Sequence, residues 1–266
     1  MLSAEEPTIT TPPGDTTRPA ETTGPPPGAT SPARPHRKLT DDGRRVREVL
    51  SYSRRGARFT ERQQRAWDAH AGAWVVPTDA VDDGAFRAAD WFGREAPLVV
   101  EIGSGVGEGT VALAAARPDV DVLALEVWRP GVASTLDALA EAGVENVRLC
   151  AVDAAWFLSE RVAPGGLAEL WTFFPDPWPK TRHHKRRLVA PAFAAVVASR
   201  LAPGAAWRLA TDWGDYAEQM RSVLDAEPGL TGGVVERWSA RPVTRFERKG
   251  LAEGRDPVDL CYRRPG

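Results

Sequence analysis

Cysteine is scarce in this chain of 266 residues: Cys150 and Cys261 are the only two. That number excludes a disulfide framework and a four-thiolate zinc site, and it suits a protein kept reduced in the cytoplasm. Histidine is almost as sparse, with four residues, two of them adjacent, so no metal centre is expected. No apolar run approaches the roughly 18 residues of a membrane span, and the amino terminus lacks the basic-then-apolar pattern of a secretory signal. These absences predict a cytoplasmic protein with no membrane and no metal. A large net charge is also missing. The formal balance of −2 excludes a uniformly basic nucleic-acid packaging protein. Aromatic residues begin only at Tyr52. Residues 1–33 are instead rich in Pro, Thr, Gly and Ala, a composition that cannot bury enough apolar surface to offset its ordering entropy. They read as a disordered tail.

What remains is ordinary globular sequence, 42% apolar and 26% charged over the chain, and long enough for a sizeable core. Residues 34–75 read as a basic amino-terminal segment that packs on the core and whose charge suits a polyanion such as RNA. Between Arg34 and Arg65 stand eleven basic and four acidic residues, a local excess hidden by the totals. Within it, "FTERQQRAW" places Thr60 three residues before Gln63, the spacing of a capping box at a helix start. Residues 76–266 read as the main globular domain. After Pro97 apolar strands alternate with helices. "LVVEI", "DVDVLALEVW", "NVRLCAVDA", "LAELWTFFPD" and "AAWRLATD" read as five strands, and "DPVDLCYRR" as a last one. "RPGVASTLDALAEAG" reads as a helix with Pro130 in its first turn, Val132, Leu136 and Leu139 on one face and Gly143 at its end. "LVAPAFAAVVASRLAPG" predicts another, starting near Leu188. Strands separated by helices predict a parallel sheet with helices on both faces. Ligands of such sheets bind at the carboxyl ends of the strands. Five places there are polar or flexible: 101–107, Glu126, Asp153, Asp176 and Asp212.

The first is "EIGSGVGEG". Gly103, Gly105 and Gly107 let the backbone turn sharply and approach a ligand closely. The dinucleotide pattern G-x-G-x-x-G would place its third glycine at position 108, where this chain has Glu108. A carboxylate there opposes a pyrophosphate at the positive end of a helix, so a nicotinamide dehydrogenase is disfavoured. A cofactor without phosphates fits, and the E-x-G-x-G-x-G turn points to S-adenosylmethionine. Glu126, after the second strand, is placed to accept from ribose hydroxyls. Asp153 is placed to accept from an adenine amino group, and Glu101 to meet the cofactor's ammonium.

"FFPDPWPKTRHHKRR" occupies residues 173–187. Pro175 and Pro177 restrict the backbone on both sides of Asp176, which preorganises one carboxylate, and Phe174 and Trp178 offer flat faces for a base. The basic run that follows would stand at the positive end of a helix starting near Leu188, an unfavourable placement that a polyanion offsets. Arg182, Lys185, Arg186 and Arg187 are therefore expected to contact RNA phosphates. Guanine suits such a site. One carboxylate can accept from its ring N–H and its exocyclic amine, and its N7 lone pair needs no deprotonation before methylation.

"EIGSGVGEG", "LEVWRPGV", "FFPDPWPKTRHHKRR", "ATDW" and "RPVTRFERKG" together resemble the bacterial tRNA (guanine-N7)-methyltransferase family, from about Arg47 to Tyr262. The resemblance implies a class I S-adenosylmethionine-dependent methyltransferase: an α/β, Rossmann-like fold with a seven-stranded, mostly parallel sheet whose last strand is antiparallel. It implies methyl transfer to N7 of the variable-loop guanine of tRNA, by a monomer or homodimer. Cofactor contacts would fall on Glu101, Gly103, Gly105, Glu126, Asp153 and Asp176, with Asp176 the catalytic residue. Substrate contacts would fall on Lys180, Asp212, Thr244, Arg245, Phe246 and Glu247. Without the resemblance, "TRFE" reads as a loop between strands. Two other readings stay open at this point: an amino-group methyltransferase of DNA or RNA, and a nucleic-acid-binding protein with an inactive cofactor pocket.

Overall fold

Short runs of apolar, often β-branched residues pair into one sheet in the computed structural model, which describes residues 50–52, 56–82 and 84–266. The expected tail lies outside the described residues, as does most of the basic segment before Leu50. The strands are β1 (Leu98–Ile102), β2 (Asp121–Leu125), β3 (Val147–Cys150), β4 (Leu167–Phe173), β5 (Leu201–Thr211), β6 (Thr231–Val235) and β7 (Val258–Arg263). Their order is β3-β2-β1-β4-β5-β7-β6. β1 pairs in parallel with both β2 and β4, and β7 is antiparallel to its neighbours β5 and β6. The chain reverses its direction of travel across the sheet between β1 and β4, the switch point where open α/β sheets bind ligands.

Successive residues of a strand face opposite sides, and both sides here are covered. Val100, Ile102, Leu123, Leu125, Trp207 and Leu209 join one core layer with Phe157, Phe193, Val197, Tyr216 and Met220. Those last five come from α5 (Ala154–Glu160), α6 (Pro191–Arg200) and α7 (Gly214–Asp225). Val99, Val122, Ala124 and Trp171 face the other way. They meet Leu113, Val132, Leu136 and Leu139 of α3 (Glu108–Ala115) and α4 (Arg129–Ala142). The expected cap at Thr60 forms in full: its side chain accepts from the Gln63 backbone while Gln63 reaches back to the Thr60 backbone. It opens α1 (Glu61–Trp74), which the short α2 (Ala88–Phe92) follows; α1 lies along α4, where Gln63 Nε2 donates to the Pro130 carbonyl at 3.0 Å and Trp74 Nε1 to the Val144 carbonyl at 3.0 Å.

Three expectations change. The helix predicted from Leu188 starts at Pro191, because Ala190 is held extended before the proline. The basic run upstream forms its own short 3-10 helix over Thr181–Arg186. The segment "TRFE", read as a loop on residue pattern alone, opens α8 (Arg245–Ala252), with the Thr244 side chain as its cap. Strand β6 carries no apolar alternation; Gly232 and Gly233 occupy its middle, and pairing with β7 defines it.

Close packing leaves no room for a side chain where α4 begins. A Cβ built on Gly131 would stand 2.2 Å from the Gly105 carbonyl oxygen and 2.8 Å from the Trp128 ring. Gly131→Ala is therefore expected to destabilise the fold by about 1–3 kcal/mol, read as a lower denaturation midpoint in urea.

Candidate active site

The carboxyl edge of the sheet continues one residue past three of its strands. The Gly103 N–H donates to the Leu125 carbonyl at 2.8 Å, Glu126 N–H to Cys150 at 3.2 Å and Phe174 N–H to Ala210 at 2.7 Å. These bonds bring the glycine turn, the Glu126 carboxylate and the entrance to Pro175-Asp176-Pro177 to one edge, after the adjacent strands β2, β1 and β4. Gly103 and Gly105 have φ of +79° and +62°, and a Cβ on either would meet nothing within 4 Å. Their backbone borders open space, whereas Gly107, with φ of +84°, is closed off by Thr135. A ligand can thus approach the first two glycines directly.

Glu126 organises this turn. It is 9% exposed; one carboxylate oxygen accepts from Gly105 N–H at 2.9 Å and the other from Trp128 N–H at 2.7 Å. Glu101, 4% exposed, accepts a short hydrogen bond from the Thr110 hydroxyl. Burial pushes its carboxyl up to about 7, against the opposing effect of that bond; the Glu126 charge raises it further. Asp153 caps α5, accepting from Trp156 N–H at 3.0 Å. Asp212 follows β5 and pairs with Arg255 at 2.8 Å.

The basic run is divided. Lys180, Arg182 and Lys185 are exposed. Arg186 is partly buried: its guanidinium stacks on Trp178 with 3.7 Å to the ring centroid and donates to the Leu50 carbonyl at 3.1 Å. Arg187 departs from the expectation of an RNA contact. It is 4% exposed, and its guanidinium donates to Pro177, Gln219 and Asp215. Leu188 and Val189, apolar and buried, draw it inward.

α8 brings the "TRFE" segment to the same edge. The Arg245 N–H donates to the Glu108 carboxylate, so the residue that spoils a dinucleotide pattern ties the glycine turn to α8. Phe246 is 50% exposed, and its ring lies 5.4 Å from that of Phe174. Glu247 differs from the substrate contact that the resemblance implies. It is 1% exposed and accepts from Arg237 and from Arg241 at 2.7 Å. Arg241 also bonds Asp259 at 2.8 Å. Two further exposed cations on α8, Arg248 and Lys249, were missed; once α8 is seen to be a helix, their side-by-side exposure is plain.

Among the described residues no helix is long and apolar enough to cross a membrane, and no cluster of His, Cys, Asp or Glu could hold a metal ion. A groove of about 500 Å³ beside Arg94, Asn146 and Arg148 lies at the amino edge of the sheet, away from Glu101, Glu126 and Asp176.

Residues 95–260 match the family model described as "Putative methyltransferase". The chain is 67% identical over 240 residues to the tRNA (guanine-N(7)-)-methyltransferase of Nocardioides sp., covering 90% of this chain and 97% of that one. It is 48% identical over 236 residues to the protein of the same name from Cutibacterium acnes, covering 84% and 86%. Among solved structures, the 16S rRNA methyltransferase KamB superposes with a TM-score of 0.51 at 18% identity, over 71% of this chain and 99% of that one. At that identity the likeness concerns the fold alone.

The raised Glu101 carboxyl has a consequence for stability. Its folded value near 7 exceeds the ordinary value of an unfolded glutamate, so the folded state holds the proton over the interval between them. Stability should therefore fall as pH rises from about 4.5 to 7 and level off above. In urea titrations, Glu101→Gln is expected to be more stable than the parent at pH 8, with the difference closing below pH 5.

Proposed function

The chain belongs to the tRNA (guanine-N7)-methyltransferase family, and from that premise and the edge geometry we infer that it transfers a methyl group from S-adenosylmethionine to N7 of guanine in tRNA. The observation that carries the reading is the convergence at one sheet edge of an open glycine turn, two buried glutamates and a proline-framed aspartate, with exposed cations beyond. The open space beside Gly103 and Gly105 and the carboxylate acceptors around it fit the hydroxyl and amino donors of the cofactor. Glu101, Gly103, Gly105, Glu126 and Asp153 would hold it. When bound, it supplies a methyl group on a sulfonium centre. The chain's own residues position the acceptor. Guanine N7 carries an in-plane lone pair, so no side chain has to remove a proton, and none of the gathered residues is asked to act as a strong base. Asp176 can accept from the ring N–H and exocyclic amine of the guanine, which aligns N7, and its charge stabilises the cation that methylation creates.

The RNA is gripped from two sides. Lys180, Arg182 and Lys185 stand on one and Arg245, Arg248 and Lys249 on the other, all exposed. Phe246 offers an apolar face beside Phe174. The guanine we assign is that of the variable loop, and the enzyme works in the cytoplasm.

The direct test is incubation with labelled S-adenosylmethionine and unmodified tRNA, followed by strand cleavage specific to 7-methylguanine. Label on an exocyclic amine would overturn the reading. Asp176→Ala is expected to lower turnover by about 10²–10³-fold while tRNA affinity stays within a few-fold. Replacing Lys180, Arg182 and Lys185 together by Ala should weaken tRNA binding and flatten its dependence on salt. An unchanged slope would remove these residues from the phosphate contacts.

A further inference from the structure

Arg187 is the last cation of a run whose Lys180, Arg182 and Lys185 face outward, yet it is 4% exposed. A buried guanidinium is costly unless its charge and donors are satisfied, and here three nitrogens point to three acceptors on two segments. Nε donates to the Pro177 carbonyl at 2.8 Å. Nη1 donates to Gln219 Oε1 at 2.7 Å and Nη2 to Asp215 Oδ2 at 2.8 Å. The guanidinium also lies over the Tyr216 ring, 4.7 Å from its centroid. Gln219 and Tyr216 are fixed in turn: Gln219 Nε2 donates to the Val189 carbonyl at 3.2 Å, and the Tyr216 hydroxyl accepts from Val189 N–H at 3.1 Å. The first turns of α7 thus form a platform, and the one bond leading from Arg187 into the loop ends on Pro177.

Pro177 is the residue after Asp176. Its carbonyl belongs to the peptide that joins it to Trp178, which has φ of +47°, a region costly for a bulky residue. Proline locks its own φ. Holding its carbonyl therefore settles the remaining freedom of the backbone directly after the carboxylate.

We propose that Arg187 is a positioning residue for Asp176, gripping the Pro177 carbonyl from α7 and so directing the carboxylate toward the bound base. The proposal rests on the reading of Asp176 given above. Lysine cannot replace Arg187, because one ammonium cannot present the planar fork that meets all three acceptors.

The test is a double-mutant cycle on the full chain with Arg187→Lys and Asp176→Asn, read as kcat at saturating tRNA and cofactor. Arg187→Lys is expected to lower kcat by about tenfold to a hundredfold. KM for tRNA and the salt dependence of binding should stay within about twofold, and no further loss should occur in the Asp176→Asn background. An equal proportional loss in both backgrounds would falsify the proposal and leave Asp176 untouched. A flattened salt dependence would return Arg187 to the phosphate contacts and overturn it as well. If Asp176→Asn alone keeps full kcat, the reading of Asp176 falls first and the proposal with it. Should Arg187→Lys fold poorly, Asp215→Asn weakens the same grip from the half-exposed side, and it should show a smaller kcat loss with the same non-additivity. Restoration of Arg187→Ala kcat by added guanidinium is the further expected sign, and rescue in the Asp176→Asn background as well would count against the proposal.

Discussion

No side chain fits between the Gly105 carbonyl and the first turn of α4, and much of the carboxyl edge is arranged around that contact. Gly131 allows the approach, with 2.2 Å between the position of a Cβ and the Gly105 oxygen. Glu126 then bridges both backbones, accepting from Gly105 N–H and from Trp128 N–H. The glycine turn, the exit of β2 and the start of α4 become one rigid corner. Placing two glycines with positive φ next to open space costs chain entropy. Fixing their backbone through one carboxylate and one close contact is how the corner keeps that opening instead of collapsing into it.

Arginine serves two purposes in this fold, and burial separates them. Arg187 and Arg241 are nearly inaccessible, and each meets at least one carboxylate within 2.8 Å. Such pairs contribute little net stability, because desolvation consumes most of the attraction, but they hold particular backbones in place. Arg241 joins Glu247 on α8 to Asp259 on β7, so the helix that carries Phe246 is fixed to the sheet. Lys180, Arg182 and Lys185 are exposed, and Arg248 and Lys249, also exposed, meet carboxylates only loosely, Glu108 and Glu253 at 4.0 Å each. A chain with formal charge −2 thus carries a locally basic surface, the one that the proposed function gives to the RNA.

Residue pattern alone revealed the parts of the fold whose signals are local. β1 to β5, the helix 129–142 with its glycine end, and the capping box at Thr60 follow from periodicity and cap chemistry. β6 was illegible because Gly232 and Gly233 have no propensity for any element, and only the long-range ladder to β7 makes them a strand. The two misjudged charges, Arg187 and Glu247, share one cause. Each stands beside exposed cations in a segment that looks solvated throughout, and the partners that bury it, Asp215 and Gln219 or Arg237 and Arg241, lie on other elements. A sequence read segment by segment shows charge but not where it points. The stiffened backbone around Asp176 was legible for the opposite reason: Pro175 and Pro177 stand directly beside it.

That constraint is stronger than two prolines supply. Phe174 and Trp178, on either side of Pro175-Asp176-Pro177, both have positive φ, at 51° and 47°. For residues of this size such a backbone costs about 1–3 kcal/mol and persists only where the surroundings over-determine it. The surroundings differ on the two sides. Phe174 is held by the ring of Phe246 at 5.4 Å and by Arg241 at 5.1 Å, both belonging to the α8 region. Trp178 is held by Arg186 at 3.7 Å, by His183 and by the bond from its Nε1 to the Ser51 carbonyl at 3.2 Å. Strand β4 alone therefore does not set the direction of Asp176. Beside the Arg187 grip on Pro177, contacts from α8, from the 3-10 helix and from the segment around Ser51 fix the backbone on either side of it, and these pieces carry or adjoin exposed cations. On the proposed function, alignment of one carboxylate and recognition of a large polyanion would draw on one set of contacts, which would account for an apolar strand end and a basic cluster only a few residues apart.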